Sequence, residues 1–473
     1  MNKAKSRPHG RHRPVGAGRA RATAVRNAAV AVSLLGAPVA VAATASAGPA
    51  DAATGPSPAA TSRTTHAAAA SCPASFTSTT PVVGVATPPS ATGYWEVDQA
   101  GQVAALGGAP CFGSLTGVSL NSPIVGMAAT PDGGGYWLVA SDGGVFAFGD
   151  AHFYGSTGGI HLNQPVVGMA STADGGGYWL VAADGGVFSF GDAHFYGSTG
   201  NAELVQSIVG IAPTGDGHGY WMVARDGGVF SFGDAAFQGS MGGHPLNSPV
   251  VGMTVDSTTG GYWLVAGDGG IFAFDAPFYG SAGSSAISAP VTAISATDSG
   301  AGYRIALADG HVFDYGAATY QGQASLPPGT QLRCLSSQIT PFIAGDQAGL
   351  GNVAQAIGLQ NTSSISCTMY GYPGAALLAT NDSALPVTTV RGQDYLFGDP
   401  GPAAITLEPR QVAYFDLGYT DMAMGQPGSN RIEYTLPNGT NPVFLALPST
   451  AYAYPFPDRI NVNAIHPAPT FAS

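Results

Sequence analysis

A Tyr-Trp dipeptide recurs at Tyr94, Tyr136, Tyr178, Tyr220 and Tyr262, once every 42 residues. In a sixth copy Tyr303 is followed by Arg304 instead. All five tryptophans of the chain, Trp95, Trp137, Trp179, Trp221 and Trp263, hold this one position. A second marker keeps the same period: Pro81, Pro123, Pro165, Pro249 and Pro290 each precede an apolar segment, with Ser207 substituting once. A fixed period of this length marks a repeat architecture. A single unit cannot bury its own apolar faces, and stacked units can.

Within the third copy, four short strands are expected at residues 166–170, 178–182, 187–190 and 195–198. The connections carry turn chemistry. Asp184-Gly185-Gly186 reads as a hairpin, because consecutive glycines accept positive φ without a Cβ clash. Pro165 stands at a strand start, where a missing N–H is tolerated. The strands are apolar on both faces. Tyr178 and Leu180 point one way and Trp179 and Val181 the other, whereas a sheet with one wet face would alternate apolar with polar. Six such units predict an all-β fold that begins with a β-propeller over residues 72–325, one blade per repeat, the tryptophans filling the wedges between blades. A β-solenoid is the alternative, although its rungs are usually shorter. Residues 74–79 are similar to the end strand of a unit. They are expected to close the last blade, leaving six blades, or seven if they complete an extra one.

Units such as "GYWLVASDGGVFAFGDAHFYGS" at residues 135–156 resemble repeats of exported proteins of high-GC bacteria, which occur alone or appended to cell-wall hydrolases and other secreted enzymes. The resemblance covers about half the chain. It implies a propeller-like accessory region and brings no settled ligand with it.

Export is also written in the N-terminus. Eight of the sixteen basic residues fall between Lys3 and Arg26, and no acid occurs before Asp51. An apolar run at residues 28–43 follows, then Ala45-Ser46-Ala47, a small-x-small cleavage pattern. Together these read as a signal peptide over residues 1–47. A transmembrane anchor is the weaker reading, since Gly36 and Pro38 interrupt a run already short for a span. Residues 48–71 are rich in Ala, Ser, Thr, Pro and Gly, as a disordered linker would be. Cleavage would leave eight basic residues against 28 acidic ones, a formal charge of −20. That excludes a nucleic-acid partner, which needs a basic phosphate-facing surface, and argues against an anionic membrane.

An even set of four cysteines in an exported chain suggests disulfides. Sequence proximity favours Cys72–Cys111 and Cys334–Cys367, each worth roughly 3–4 kcal/mol in the chain-entropy model. No metal-ligand spacing is present.

From Arg333 the period vanishes. Residues 351–378, "GNVAQAIGLQNTSSISCTMYGYPGAALL", resemble the core of a domain of unknown function in secreted and lipid-anchored bacterial proteins. The matching residues are Cys334, Asn352, Asn361, Cys367, Gly371, Tyr372, Pro373 and Gly374. Arg410 departs from the pattern, standing where that family usually has Gly. The resemblance implies an immunoglobulin-like β-sandwich over residues 333–467 and no assigned activity. Short strands at 353–359, 404–407 and 412–417 and the lack of a helix-period run agree with it.

Chemistry is sparse. Asp142, Asp184, Asp226, Asp268 and Asp309 recur at the hairpin, and Asp150, Asp192, Asp234 and Asp275 near the next turn, where turn geometry itself favours Asp. His152 and His194 share one repeat position. No catalytic residue, metal ligand or cofactor motif emerges. His218, Arg225, His244 and Arg304 break the repeat pattern and are the candidate binding residues. The expected function is a secreted, extracellular or cell-wall-associated, non-catalytic binding or adhesion protein, its propeller loops presented to a cell-wall or environmental glycan or to a protein. The alternative is a secreted polysaccharide hydrolase or lyase with its site in the propeller centre.

Overall fold

The computed structural model of the chain describes residues 72–469 apart from 74, 78, 90–91, 201, 203, 328–329, 350–351, 364, 379–387, 393, 395, 421–430, 438–441 and 447–458. The expected leader and linker lie outside the described residues.

Each copy of the repeat forms one three-stranded antiparallel sheet, its strands in chain order. The first two sheets are β1–β3 (Val82–Ala86, Tyr94–Asp98, Val103–Leu106) and β4–β6 (Ile124–Ala129, Gly135–Ala140, Val145–Gly149). The third and fourth are β7–β9 (Val166–Ser171, Gly177–Ala182, Val187–Gly191) and β10–β12 (Ile208–Pro213, Gly219–Ala224, Val229–Gly233). The last two are β13–β15 (Val250–Val255, Tyr262–Ala266, Ile271–Phe274) and β16–β18 (Val291–Ala296, Gly302–Leu307, Val312–Gly316). First strands of successive sheets touch, β1 to β4 and onward to β16, and β16 touches β1.

The middle strand explains why one sheet needs two neighbours. Both faces of β8 are buried. Tyr178 and Leu180 pack with Trp137 and Val139 of the preceding sheet. Trp179 and Val181 pack with Tyr220 and Met222 of the following one. Such an apolar cluster fills every gap between neighbours, including the gap between the sixth sheet and the first. Within the five gaps that follow a tryptophan-bearing sheet, the Trp of one sheet meets the Tyr of the next, with ring centroids 5.0 to 5.7 Å apart.

One expectation is corrected. The fourth strand, residues 195–198, is no strand: its segment pairs with no backbone ladder. A side chain of the next sheet holds it instead, as described below. Cys72 and Cys111 form a disulfide, and Phe76 N–H donates to Ser325 O at 3.0 Å, so the start of this region lies against its end.

The C-terminal part contains β19 (Ile339–Gly349), β20 (Asn352–Asn361), β21 (Cys367–Tyr370), β22 (Gly374–Leu378) and β23 (Thr388–Arg391). It continues with β24 (Ala404–Leu407), β25 (Val412–Thr420), β26 (Arg431–Thr435), β27 (Val443–Ala446) and β28 (Arg459–Val462). A five-stranded sheet, β19-β20-β25-β28-β23, a three-stranded sheet, β22-β26-β27, and the β21-β24 pair share one apolar core. The Cys334–Cys367 disulfide is part of that core. Buried Asn361 closes the turn after β20, donating to Ile365 O at 2.7 Å and Leu407 O at 3.0 Å. Arg410 has φ +69°, a left-handed conformation that costs a side chain about 1–2 kcal/mol and costs glycine nothing, which accounts for the glycine usual in the similar domains.

Removing one wedge ring tests this packing. Trp179→Ala is expected to cost about 3–5 kcal/mol, read as a lower urea midpoint. A midpoint shift equivalent to under 1 kcal/mol would contradict it.

Candidate binding surface

The Tyr-Trp pair does more than fill the wedge. After β6 the chain crosses toward the third sheet through His152, Phe153, Tyr154 and Gly155. Trp137 Nε1 donates to His152 O at 2.7 Å. The Tyr178 hydroxyl of the next sheet donates to Gly155 O at 2.5 Å and accepts the N–H groups of Tyr154 and Gly155, both at 3.1 Å. Gly155 has φ +139°, and a Cβ there would lie 2.6 Å from Phe190, so glycine is required. Phe153 stands between the two anchors and faces solvent.

The arrangement repeats. Trp Nε1 bonds run to the carbonyls of Pro110, His194, Ala236 and Pro277. Tyr hydroxyls bond to Gly113, Gly197, Gly239 and Gly280, and Tyr94 reaches Gly322 at the far end of the region. The residues so displayed are Phe153, Phe195, Phe237, Phe278 and Tyr320, between 51 % and 61 % exposed. Nine large hydrophobic side chains are exposed among the described residues, and five hold this one position. Cys111 takes the equivalent place in the first copy and forms the disulfide to Cys72.

The four pattern-breaking residues do not meet. Arg225 is buried, donating through Nη2 to Ser336 O and to Ile339 O at 3.3 Å, so it ties the fourth sheet to the C-terminal part. Arg304 is also buried, and it takes the tryptophan's place in the last gap. Its guanidinium lies 4.1 Å over the Tyr94 ring and its Nε is 3.4 Å from Asp314 Oδ1, directly across the strand pair. Glu96, fully buried beside them, accepts Ala324 N–H at 2.9 Å. His244 is exposed in a turn, its N–H bonded to Met241 O at 2.9 Å. His218 is exposed, with Nδ1 3.2 Å from Asp216 Oδ2. The two arginines are thus joining residues rather than surface ones.

The aspartates act on their own turns. Oδ1 of Asp142, Asp184, Asp226 and Asp268 accepts the N–H of the glycine two residues on, at 2.9–3.0 Å, and Asp309 does the same with His311. Asp132 and Asp174 are held below the usual carboxylate range by the N–H groups of Gly134 and Gly176, and Asp216 by the Thr214 hydroxyl. A glycosidase acid needs the opposite shift. Asp216, His218 and Asp234 each offer one ligand atom, all within 4.8 Å of one another. This exposed set could hold a metal ion, although the sequence reading assigned none.

The first strands surround a cavity of about 470 Å³. Its wall carries Val83, Val125, Val167, Val209, Val251 and Thr292, one from each sheet, and Arg225 and Arg333.

With this geometry in hand, relatives add little. Residues 334–466 match the model of a family described as a domain of unknown function, DUF4232. No curated protein matches the chain. A structural genomics protein of unknown function from Bacteroides thetaiotaomicron is similar at 14 % identity and a TM-score of 0.34, over 48 % of this chain and 67 % of that one. No helix among the described residues is long and apolar enough to cross a membrane.

Sequence reasoning missed the exposed aromatic position and the Glu96–Arg304–Asp314 group. Aligning the copies shows both. An aromatic recurs two residues before the glycine, and acids stand at 96 and 314 where other copies have Leu138 and Ala147.

The seam has a pH signature. Burial pushes the Glu96 carboxyl up to about 8 and raises Asp314 as well. A carboxyl raised by folding stabilises fully below its unfolded pKa and loses that contribution as pH climbs through the folded value. The melting temperature is expected to fall between about pH 5 and pH 8, and Glu96→Gln to flatten the fall. An unchanged slope in the variant would contradict it.

Proposed function

We propose that this chain is an exported, non-catalytic binding protein whose six sheets form a six-bladed β-propeller, followed by an immunoglobulin-like β-sandwich, and that it holds a cell-wall or environmental glycan on the displayed aromatic side chains. One observation carries the reading: Phe153, Phe195, Phe237, Phe278 and Tyr320 are exposed at one repeat position, each segment held by a tyrosine hydroxyl of the neighbouring sheet and the four phenylalanine segments also by a tryptophan. Packing does not require them outside, and their recurrence at one position of the repeat sets them apart from singly scattered surface hydrophobics. An aromatic ring offers a flat apolar face bearing negative potential, suited to the C–H groups of a sugar. Five equivalent rings match a polymer that repeats, where linked weak contacts give avidity without any one strong contact.

Export is supported by the N-terminal pattern of a basic stretch, an apolar run and a cleavage site, and by two disulfides that an oxidising compartment favours. Closure of the propeller is supported by contact between β16 and β1 and by the Tyr94 bond to Gly322. The hydrolase reading lacks a supporting observation. The cavity wall carries no Asp or Glu among the described residues, and Asp132, Asp174 and Asp216 are exposed turn residues with lowered pKa.

A pull-down on insoluble peptidoglycan with a parallel glycan array tests the reading. Combined Phe153→Ala, Phe195→Ala and Phe237→Ala substitution is expected to lower retention at least tenfold with an unchanged melting temperature, since exposed positions contribute little to stability. No retention of the native protein, or full retention of the triple variant, would overturn it.

A further inference from the structure

The cavity among the first strands combines two kinds of wall. Five valines and Thr292, one side chain per sheet, supply an apolar lining at the place where each first strand slips register against its neighbour. Arg225 and Arg333 also line it. Arg225 is buried, and among the described residues neither arginine has a carboxylate partner. Arg225 donates only to carbonyls, which neutralise no charge. Arg333 is exposed, so the wall reaches solvent there. In a chain with 28 acids against sixteen bases, a cavity with two arginines and no acid runs against the overall charge.

Buried cations are normally paired, and a guanidinium recognises carboxylate and phosphate oxygens through parallel N–H bonds. A cavity of about 470 Å³ lies within the size range of small-molecule sites. We infer that the central cavity is a binding site for a small anionic amphiphile, its oxyanion head at Arg225 and Arg333 and its alkyl chain among the ring of valines. Carboxylate and phosphate heads share this chemistry. The site is separate from the displayed aromatics and does not depend on the glycan reading.

Calorimetric titration of the mature protein below micelle concentration tests it, using decanoate, decyl phosphate, decanol and inorganic phosphate. Saturable binding of decanoate or decyl phosphate is expected, with decanol and inorganic phosphate each at least tenfold weaker. The tighter of the two anions identifies the head group. Val209→Phe, or Val125→Phe if the first variant fails to fold, fills the cavity and should abolish binding. Arg333→Gln, at an exposed position, should weaken it at least tenfold with no change in melting temperature. Three results would overturn the proposal: equal affinity for decanol, full binding by a folded cavity-filling variant, or no binding by either anion. If both filling variants misfold, Arg333→Gln decides alone, and unchanged affinity there sinks it.

Discussion

The hydroxyl of the repeat tyrosine is the contact on which the rest of the repeat region depends. It sits on the middle strand of one sheet and bonds to the backbone of a segment that left the sheet before it. Three hydrogen bonds on one hydroxyl satisfy backbone groups that no ladder pairs, and an unsatisfied buried donor or acceptor would cost about 1–3 kcal/mol. The tryptophan beside the tyrosine points the opposite way and performs the matching task for its own sheet. One dipeptide therefore binds both neighbours, packs both wedges and turns one aromatic side chain per copy toward solvent.

Such a chain of like contacts needs an end, and the end is chemically different. At the seam between the sixth sheet and the first, Arg304 stacks on Tyr94 where a tryptophan would otherwise stand, with Asp314 across the strand and Glu96 beside it. A buried ion pair is a poor source of stability, and fixing register is its best-attested use. We read the polar seam as a register device. An apolar seam would be equally content with a skipped or extra copy, whereas these four side chains recognise one another.

Much of this was legible in the sequence. The period, the opposed faces of Tyr178 and Trp179, the turn role of Asp184 and the two cysteine pairs follow from spacing and local chemistry. Residues 195–198 misled because their extended, aromatic pattern is that of a strand, while their partner is a side chain one repeat away. Arg225 and Arg304 were visible as departures, but their roles depend on Ser336 and Tyr94, more than a hundred residues distant in either case. Nothing local marks such a partner. The exposed aromatics escaped notice for a related reason: Phe153 and Phe188 look alike in sequence, and only the bonds on either side of Phe153 turn it outward.

The ligand readings rest on this scaffold being rigid, so the hydroxyl contact is the place to measure. Native-state hydrogen exchange, resolved at the amides of Tyr154 and Gly155, compares the native chain with Tyr178→Phe. The account predicts strong protection of both amides in the native chain and its loss in the variant, with the amides of β8 still protected. Equal protection of Tyr154 and Gly155 in the two proteins would show that the tyrosine hydroxyl does not hold the segment, and would contradict the account.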